Sequence, residues 1–154
     1  MALRKLSLVI EPERGEKVMR VAFATEDMQR VDAHFGWARN LAIYEVSPAG
    51  HRFAEVVQFD GNLQEDGVED KLTPKINALR DCAIVYVAAI GGSAAAKVVN
   101  AKVHPVKVPN PEAINDILDK LVNVLKGTPP PWLRKAMMKG QERSFDFEDG
   151  VDDE

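Results

Sequence analysis

The chain is poor in residues that staple or ligate. A single cysteine, Cys82, stands among 154 residues, which excludes an internal disulfide framework and zinc sites built from paired CxxC motifs. A reducing, cytoplasmic setting is expected. Histidine is scarce too, with three in the sequence. No apolar stretch approaches the roughly 20 residues that a membrane span needs. The opening "MALRKLSLVIEPERGEK" puts Glu11, Glu13 and Glu16 where a signal peptide would carry its small-residue cleavage site. A soluble protein without signal peptide or membrane partner is the expectation. Excess basic charge is also missing: 20 Lys and Arg, scattered along the chain, face 24 Asp and Glu. Such a chain lacks the field that drives nonspecific nucleic-acid binding, and no nucleic-acid partner is expected.

What the chain does have is apolar material, 45% of its residues, enough for one sizeable core at this length. "VMRVAFAT" (18–25) is a short, mostly apolar run that suits a strand buried on both faces. "NLAIYEVS" (40–47) and "RFAEVVQF" (52–59) flank the turn "PAGH" and predict an antiparallel hairpin. Residues 61–81 begin as a polar loop and become helical, with Leu72, Ile76 and Leu79 on one face and Pro74 near the start. "CAIVYVAAI" (82–90) is the candidate central strand, "GGSAAAKVVNA" (91–101) a turn into a helix, and "KVHPVKV" (102–108) a strand whose proline predicts an edge. Ile114, Ile117, Leu118, Leu121, Val124 and Leu125 recur at helical spacing up to Lys126. Beyond the "PPP" break, Trp132 to Lys139 predicts a short helix, with Trp132, Leu133 and Ala136 on one face and Met137 and Met138 in packing roles.

This order predicts an α/β domain with a mixed five-stranded sheet, helices on its faces and the first and fourth strands as neighbours. Strands joined through helices are parallel with right-handed crossovers, and the hairpin is antiparallel. The expected organisation is an extension at 1–17, the α/β domain at 18–127, a helical segment at 128–140 and an acidic tail at 141–154 with little to bury, expected to be mobile.

Ligands of open α/β sheets gather beyond the carboxyl ends of parallel strands. Two loops leave that edge, "EDMQRVDAHFGWARN" after the first strand and "IGGSA" after the fourth. They bring His34, Phe35 and Gly36 to the same rim as Gly91 and Gly92. His34 has two readings. It is either a turn residue that bonds the backbone around Phe35-Gly36, or an imidazole base or metal ligand oriented by a neighbour such as Asp32. A nucleophile with an orienting acid is missing, and so are the three or four ligands of a mononuclear metal site. A preformed metal cluster, which brings its own ligands, needs less and can manage with one imidazole. Gly91-Gly92 is either an ordinary tight turn or an anion cradle, with Ser93 capping the helix and backbone amides facing the charge. It lacks the later glycine of GxGxxG and the GK[ST] of a P-loop, so no nucleotide is indicated. Cys82 opens its strand about 25 Å from Gly91, at roughly 3.3 Å per residue, and reads as a core thiol. His104 opens the next strand at the wrong edge, and His51 falls in the hairpin turn; both read as structural or solvated.

In order, "VMRVAFAT", "VDAHFGWARNLAIYEV", "QEDGVEDKLTPKINALRDCAIVYVAAIGGSAAAKVV", "HPVKV" and "PPPWLRKAM" resemble the nitrogenase iron-molybdenum cofactor biosynthesis family over about residues 18–140. The resemblance implies a ribonuclease H-like three-layer fold. It implies a carrier, not an enzyme, that takes iron-sulfur precursors of the iron-molybdenum cofactor between assembly proteins. Its partners would be a precursor-synthesising enzyme and a scaffold complex, with apo-nitrogenase as a further candidate. The family's HFG histidine, which contacts the cluster, falls on His34. Some relatives carry a cysteine before the strand-four glycine where this chain has Ile90. Two other classes remain in view: a regulatory or storage module without cluster contact, and a metal-dependent nuclease. The nuclease would need several carboxylates around paired ions, which the first and fourth strands do not supply.

Overall fold

The computed structural model describes residues 18–59 and 72–138. The extension at 1–17, the polar loop before Leu72, Lys139 and the acidic tail lie outside the described residues. Seven strands and four helices make up the described chain. β1 (Met19–Thr25) is followed by the two-residue β2 (Arg30–Val31), a 3-10 turn over Phe35–Trp37, and the hairpin of β3 (Asn40–Ser47) and β4 (Gly50–Gln58). Then come α1 (Leu72–Ala78), β5 (Ile84–Val87), α2 (Gly92–Asn100), β6 (His104–Lys107), β7 (Glu112–Ala113) and α3 (Ile114–Lys126). A further helix, α4, spans 131–138.

The main sheet has the order β4-β3-β1-β5-β6. β1 pairs with β3 antiparallel and with β5 parallel, and β5 pairs with β6 parallel. The mixed five-stranded sheet, the β1–β5 neighbourhood and the edge position of the proline strand are as the sequence predicts. Side-chain alternation along β1 sends Val21 and Phe23 to one face and Ala22 and Ala24 to the other. The first face is covered by Ile114, Ile117, Leu118, Leu121 and Leu125 of α3 and by Leu133 of α4. The second is covered by Ile76 of α1 and by Ala94 and Val98 of α2. Helices thus lie on both faces, and each face has its own apolar layer. Phe23 stacks on Tyr86 at 5.1 Å and meets Tyr44 edge-on at 5.6 Å, which fixes β1, β3 and β5 to one another beneath α3.

Several expectations shift. The hairpin turn is Pro48-Ala49, with Gly50 at a φ of 149° that favours glycine. His51 therefore lies in β4 opposite Val46, its Nε2 3.2 Å from Asp119 Oδ1 on α3, and not in the turn. On α3, Val122 is buried, while Val124 is 37% exposed, because the buried stripe is centred on Leu118, Leu121 and Leu125. β5 is shorter than the apolar run 82–90. Cys82 and Ala83 are buried ahead of it, and after Val87 the chain leaves β1 for a new partner. The two-residue pair β2–β7 was not expected, since strands that short carry no alternation to detect.

Candidate functional site

That new partner is the segment bearing His34. β1 ends at Thr25, and residues 33–35 take its place beside the continuation of β5. The Ala88 N–H donates to Ala33 oxygen at 2.9 Å, the Phe35 N–H donates to Ala89 oxygen at 2.8 Å, and His34 bridges Ala89 in parallel fashion. The sequence expectation that His34 shares a rim with the loop of Gly91 and Gly92 is met: Ala89 lies two residues before Gly91.

His34 is the N-cap of the 3-10 turn and half-buried. Its Nδ1 accepts the Gly36 N–H at 3.0 Å, while the Trp37 N–H returns to His34 oxygen at 3.0 Å. The turn-residue reading thus describes what the ring does within the chain. A backbone N–H can only donate, so Nδ1 presents a lone pair, and in the neutral imidazole the ring proton sits on Nε2. Phe35 is fully buried in the layer under α1 and α2, which pins the turn from below.

The sequence reading did not single out Lys75. Its side chain is buried, 3% exposed, and its Nζ donates to the carbonyls of Phe35 at 3.2 Å and Gly36 at 2.9 Å. The ammonium also lies 5.4 Å from the centroid of the Phe59 ring. A signal was available: Lys75 lies three residues after Leu72 and four before Leu79, on the apolar stripe of its own helix. A lysine at such a position is buried only where its head group finds acceptors.

Asp32 does not orient His34. Its Oδ1 accepts the Glu26 N–H at 2.8 Å and so closes the loop between β1 and the His34 turn. Asp27 organises the same loop, its Oδ1 taking the amides of Gln29 and Arg30 at 2.8 Å each. Those two backbone bonds, followed by the Arg30 side chain, hold the Asp27 carboxyl down at about 2. Thr25 Oγ1 accepts the Met28 N–H at 2.9 Å, which steadies Met28 at a φ of 66°. These polar residues build the rim beside the His34 turn.

Across the rim, Gly91 is the N-cap of α2, with ordinary extended dihedrals and no side-chain cap bond. Ser93 does not cap the helix, because the helix starts two residues earlier than that role requires. Ser93 lies inside the first turn and is exposed. Gly91 and Gly92 are exposed, and a Cβ at either would meet nothing within 4 Å. Neither glycine is demanded by backbone strain or by packing, so the surface there is open. The first turn of α2 carries no acidic side chain, so no side chain of that turn competes with an anion for its amide donors. Among the described residues, no group of three or more His, Cys, Asp or Glu side chains converges to hold a metal ion. Cys82 is fully buried in the layer under α2. His104 opens β6 and stacks on Trp132 at 4.4 Å, with burial pushing its imidazole below the ordinary histidine value. No helix among the described residues is long and apolar enough to cross a membrane.

Residues 17–124 match the family described as dinitrogenase iron-molybdenum cofactor. The chain belongs to this family. It is 65% identical over 136 residues to Protein NifX of Herbaspirillum seropedicae, covering 88% of this chain and 93% of that one. It is 44% identical over 159 residues to Protein NifX of Sinorhizobium fredii, covering 96% and 99%. The crystal structure of PH0822 aligns with a TM-score of 0.54 at 21% identity, over 74% of this chain and 98% of that one, a likeness of fold. The stretch matched by the dinitrogenase iron-molybdenum cofactor family contains the His34 turn, Lys75 and the Gly91 loop.

Proposed function

We propose that this protein acts in assembly of the dinitrogenase iron-molybdenum cofactor by binding iron-sulfur precursors and carrying them between assembly proteins, without catalysing a step itself. Membership of the dinitrogenase iron-molybdenum cofactor family and the extended similarity to proteins named NifX support the assembly role. A single observation of geometry carries the site: the half-buried imidazole of His34 and the uncapped N-terminus of α2 meet on one edge of the sheet, with open space over Gly91 and Gly92.

In this reading His34 contacts the cluster, with Asp32, Phe35 and Gly36 forming its turn and Gly91, Gly92 and Ser93 the opposite wall. Backbone amides of α2 face the negative charge of the cargo. A carrier has to release what it holds. One imidazole and a set of backbone donors give a shallower well than a cage of several thiolates, and handover is correspondingly easier. The fold is assigned to the ribonuclease H-like kind, the compartment to the cytoplasm, and the partners to the precursor-synthesising enzyme, the scaffold complex and apo-nitrogenase.

The test is anaerobic mixing of apo-protein with isolated iron-sulfur precursor, followed by gel filtration, iron counting and electronic spectra. Iron should co-elute with the parent protein and fall away in a folded His34 variant. A colourless protein peak in both would turn the reading towards a module that acts by protein contacts alone.

A further inference from the structure

The Phe35–Gly36 peptide unit is gripped at both ends. Its oxygen accepts from Lys75 Nζ at 3.2 Å, and its N–H donates to His34 Nδ1 at 3.0 Å. The next carbonyl, that of Gly36, also takes the Lys75 ammonium, at 2.9 Å. A positive charge on an amide oxygen draws density from the nitrogen and strengthens the bond that its N–H gives. Lys75 therefore reinforces the very bond that keeps the proton off Nδ1. Coordination of a metal at Nε2 would require a lone pair there and hence a proton on Nδ1, pointing at the Gly36 N–H. Two donors would then face each other across 3.0 Å, and the turn would have to open.

We propose that Lys75 is a positioning residue for His34. Through the Phe35–Gly36 peptide it fixes the tautomer with the proton on Nε2, so that His34 meets the iron-sulfur cargo as an N–H donor to a cluster sulfide and not as a metal ligand. The inference rests on the carrier reading above and narrows it. It also accounts for a lysine being buried at this point of α1: two carbonyls of the turn take its ammonium. A donor contact made without rearranging the turn suits cargo that must come and go.

The experiment has two parts. Ring nitrogen spectra of 15N-labelled apo-protein report the tautomer of His34 directly. The parent should show a protonated Nε2 and an unprotonated Nδ1, Lys75→Met a mixture of the two tautomers, and Lys75→Arg a return to the parent pattern. A parent ring protonated on Nδ1, or a Lys75→Met spectrum identical to the parent, overturns the role of Lys75. Should Lys75→Met fail to fold, the parent and Lys75→Arg spectra still decide the tautomer. The second part loads the protein anaerobically with iron-sulfur precursor purified from the precursor-synthesising enzyme, in its paramagnetic form, and measures nitrogen couplings by pulsed EPR. A weak coupling, lost in His34→Asn, supports the donor contact, together with a fall in affinity of about tenfold for Lys75→Met. The strong coupling of a directly bonded nitrogen overturns it while leaving the carrier reading intact. No iron on the parent sinks the carrier reading, and the cargo contact of His34 falls with it.

Discussion

The Phe35 N–H reaches the carbonyl oxygen of Ala89 at 2.8 Å, so the turn that carries His34 is hydrogen-bonded as if it were a continuation of the parallel sheet. The position of His34 is thereby tied to β5, and its two jobs, capping and binding, become separable by mutation. His34→Ala removes the acceptor of the Gly36 N–H and should cost about 1 kcal/mol, the usual worth of an N-cap. His34→Asn keeps a competent capping side chain and should stay closer to the parent. Both lose the imidazole. Urea denaturation should separate the two variants, while iron counting after cargo loading should find them equally impaired. Full iron loading in His34→Asn would reduce His34 to a capping residue.

Gly91 offers a complementary test on the opposite wall. Its dihedrals, φ −73° and ψ 159°, suit any residue, and a Cβ there would meet nothing within 4 Å. Gly91→Ser should fold as well as the parent or gain a few tenths of a kcal/mol, since serine is a better N-cap than glycine. The new hydroxyl would also accept from an amide in the first turn of α2 and occupy space over the rim. Cargo affinity should therefore drop while the melting temperature holds. Unchanged affinity would remove α2 from the binding surface.

The elements that could be read in the sequence are those whose pattern is set by burial on a regular period. β1 is a mostly apolar run and the heart of β5 a continuous one, the hairpin has its Pro48–Gly50 turn, and α3 has its stripe. The shared rim followed from the parallel pairing of β1 with β5 alone. What escaped was decided by single contacts that no periodic pattern encodes. Asp32 sits beside His34 in sequence, yet its carboxylate is taken by Glu26. Lys75 is 40 residues from Phe35, and no local pattern names the carbonyls it serves. The end of β5 is equally nonlocal, because Ala88 and Ala89 remain in an apolar run but change partner where β1 runs out.

Leu133 anchors α4 to the domain. It is 1% exposed among the residues beneath α3, whereas its neighbour Trp132 is 38% exposed and stacks on His104. Leu133→Ala should destabilise by about 2–4 kcal/mol, the range for a buried leucine truncated to alanine. Loosening of α4 would also bring the Trp132 indole into water. A red shift of tryptophan emission at low urea, ahead of global unfolding and measured with Trp37→Phe as the background, is the expected sign. An emission spectrum that moves only with the global transition would mean that α4 is held by contacts other than Leu133.

Tyr86 makes stability fall at high pH. It is 8% exposed and stacked on Phe23; burial, and then the charge of Glu112, push its hydroxyl up to about 12 from the ordinary 10.0. Below about pH 10 the phenol is neutral in both folded and unfolded chains and has no effect on the balance. Between 10.0 and about 12 the unfolded chain releases the proton and the folded chain keeps it, so unfolding is favoured progressively as pH rises. The full loss is about 3 kcal/mol, at 1.36 kcal/mol for each unit of displacement. Tyr86→Phe removes this ionisation and should flatten the decline. Some slope should persist, because burial raises Tyr44 as well. Urea denaturation of parent and variant at about pH 9 and about pH 11 is the check, with each pair compared at one pH so that lysine titration cancels. Parallel curves would place the Tyr86 hydroxyl in contact with water in the folded protein.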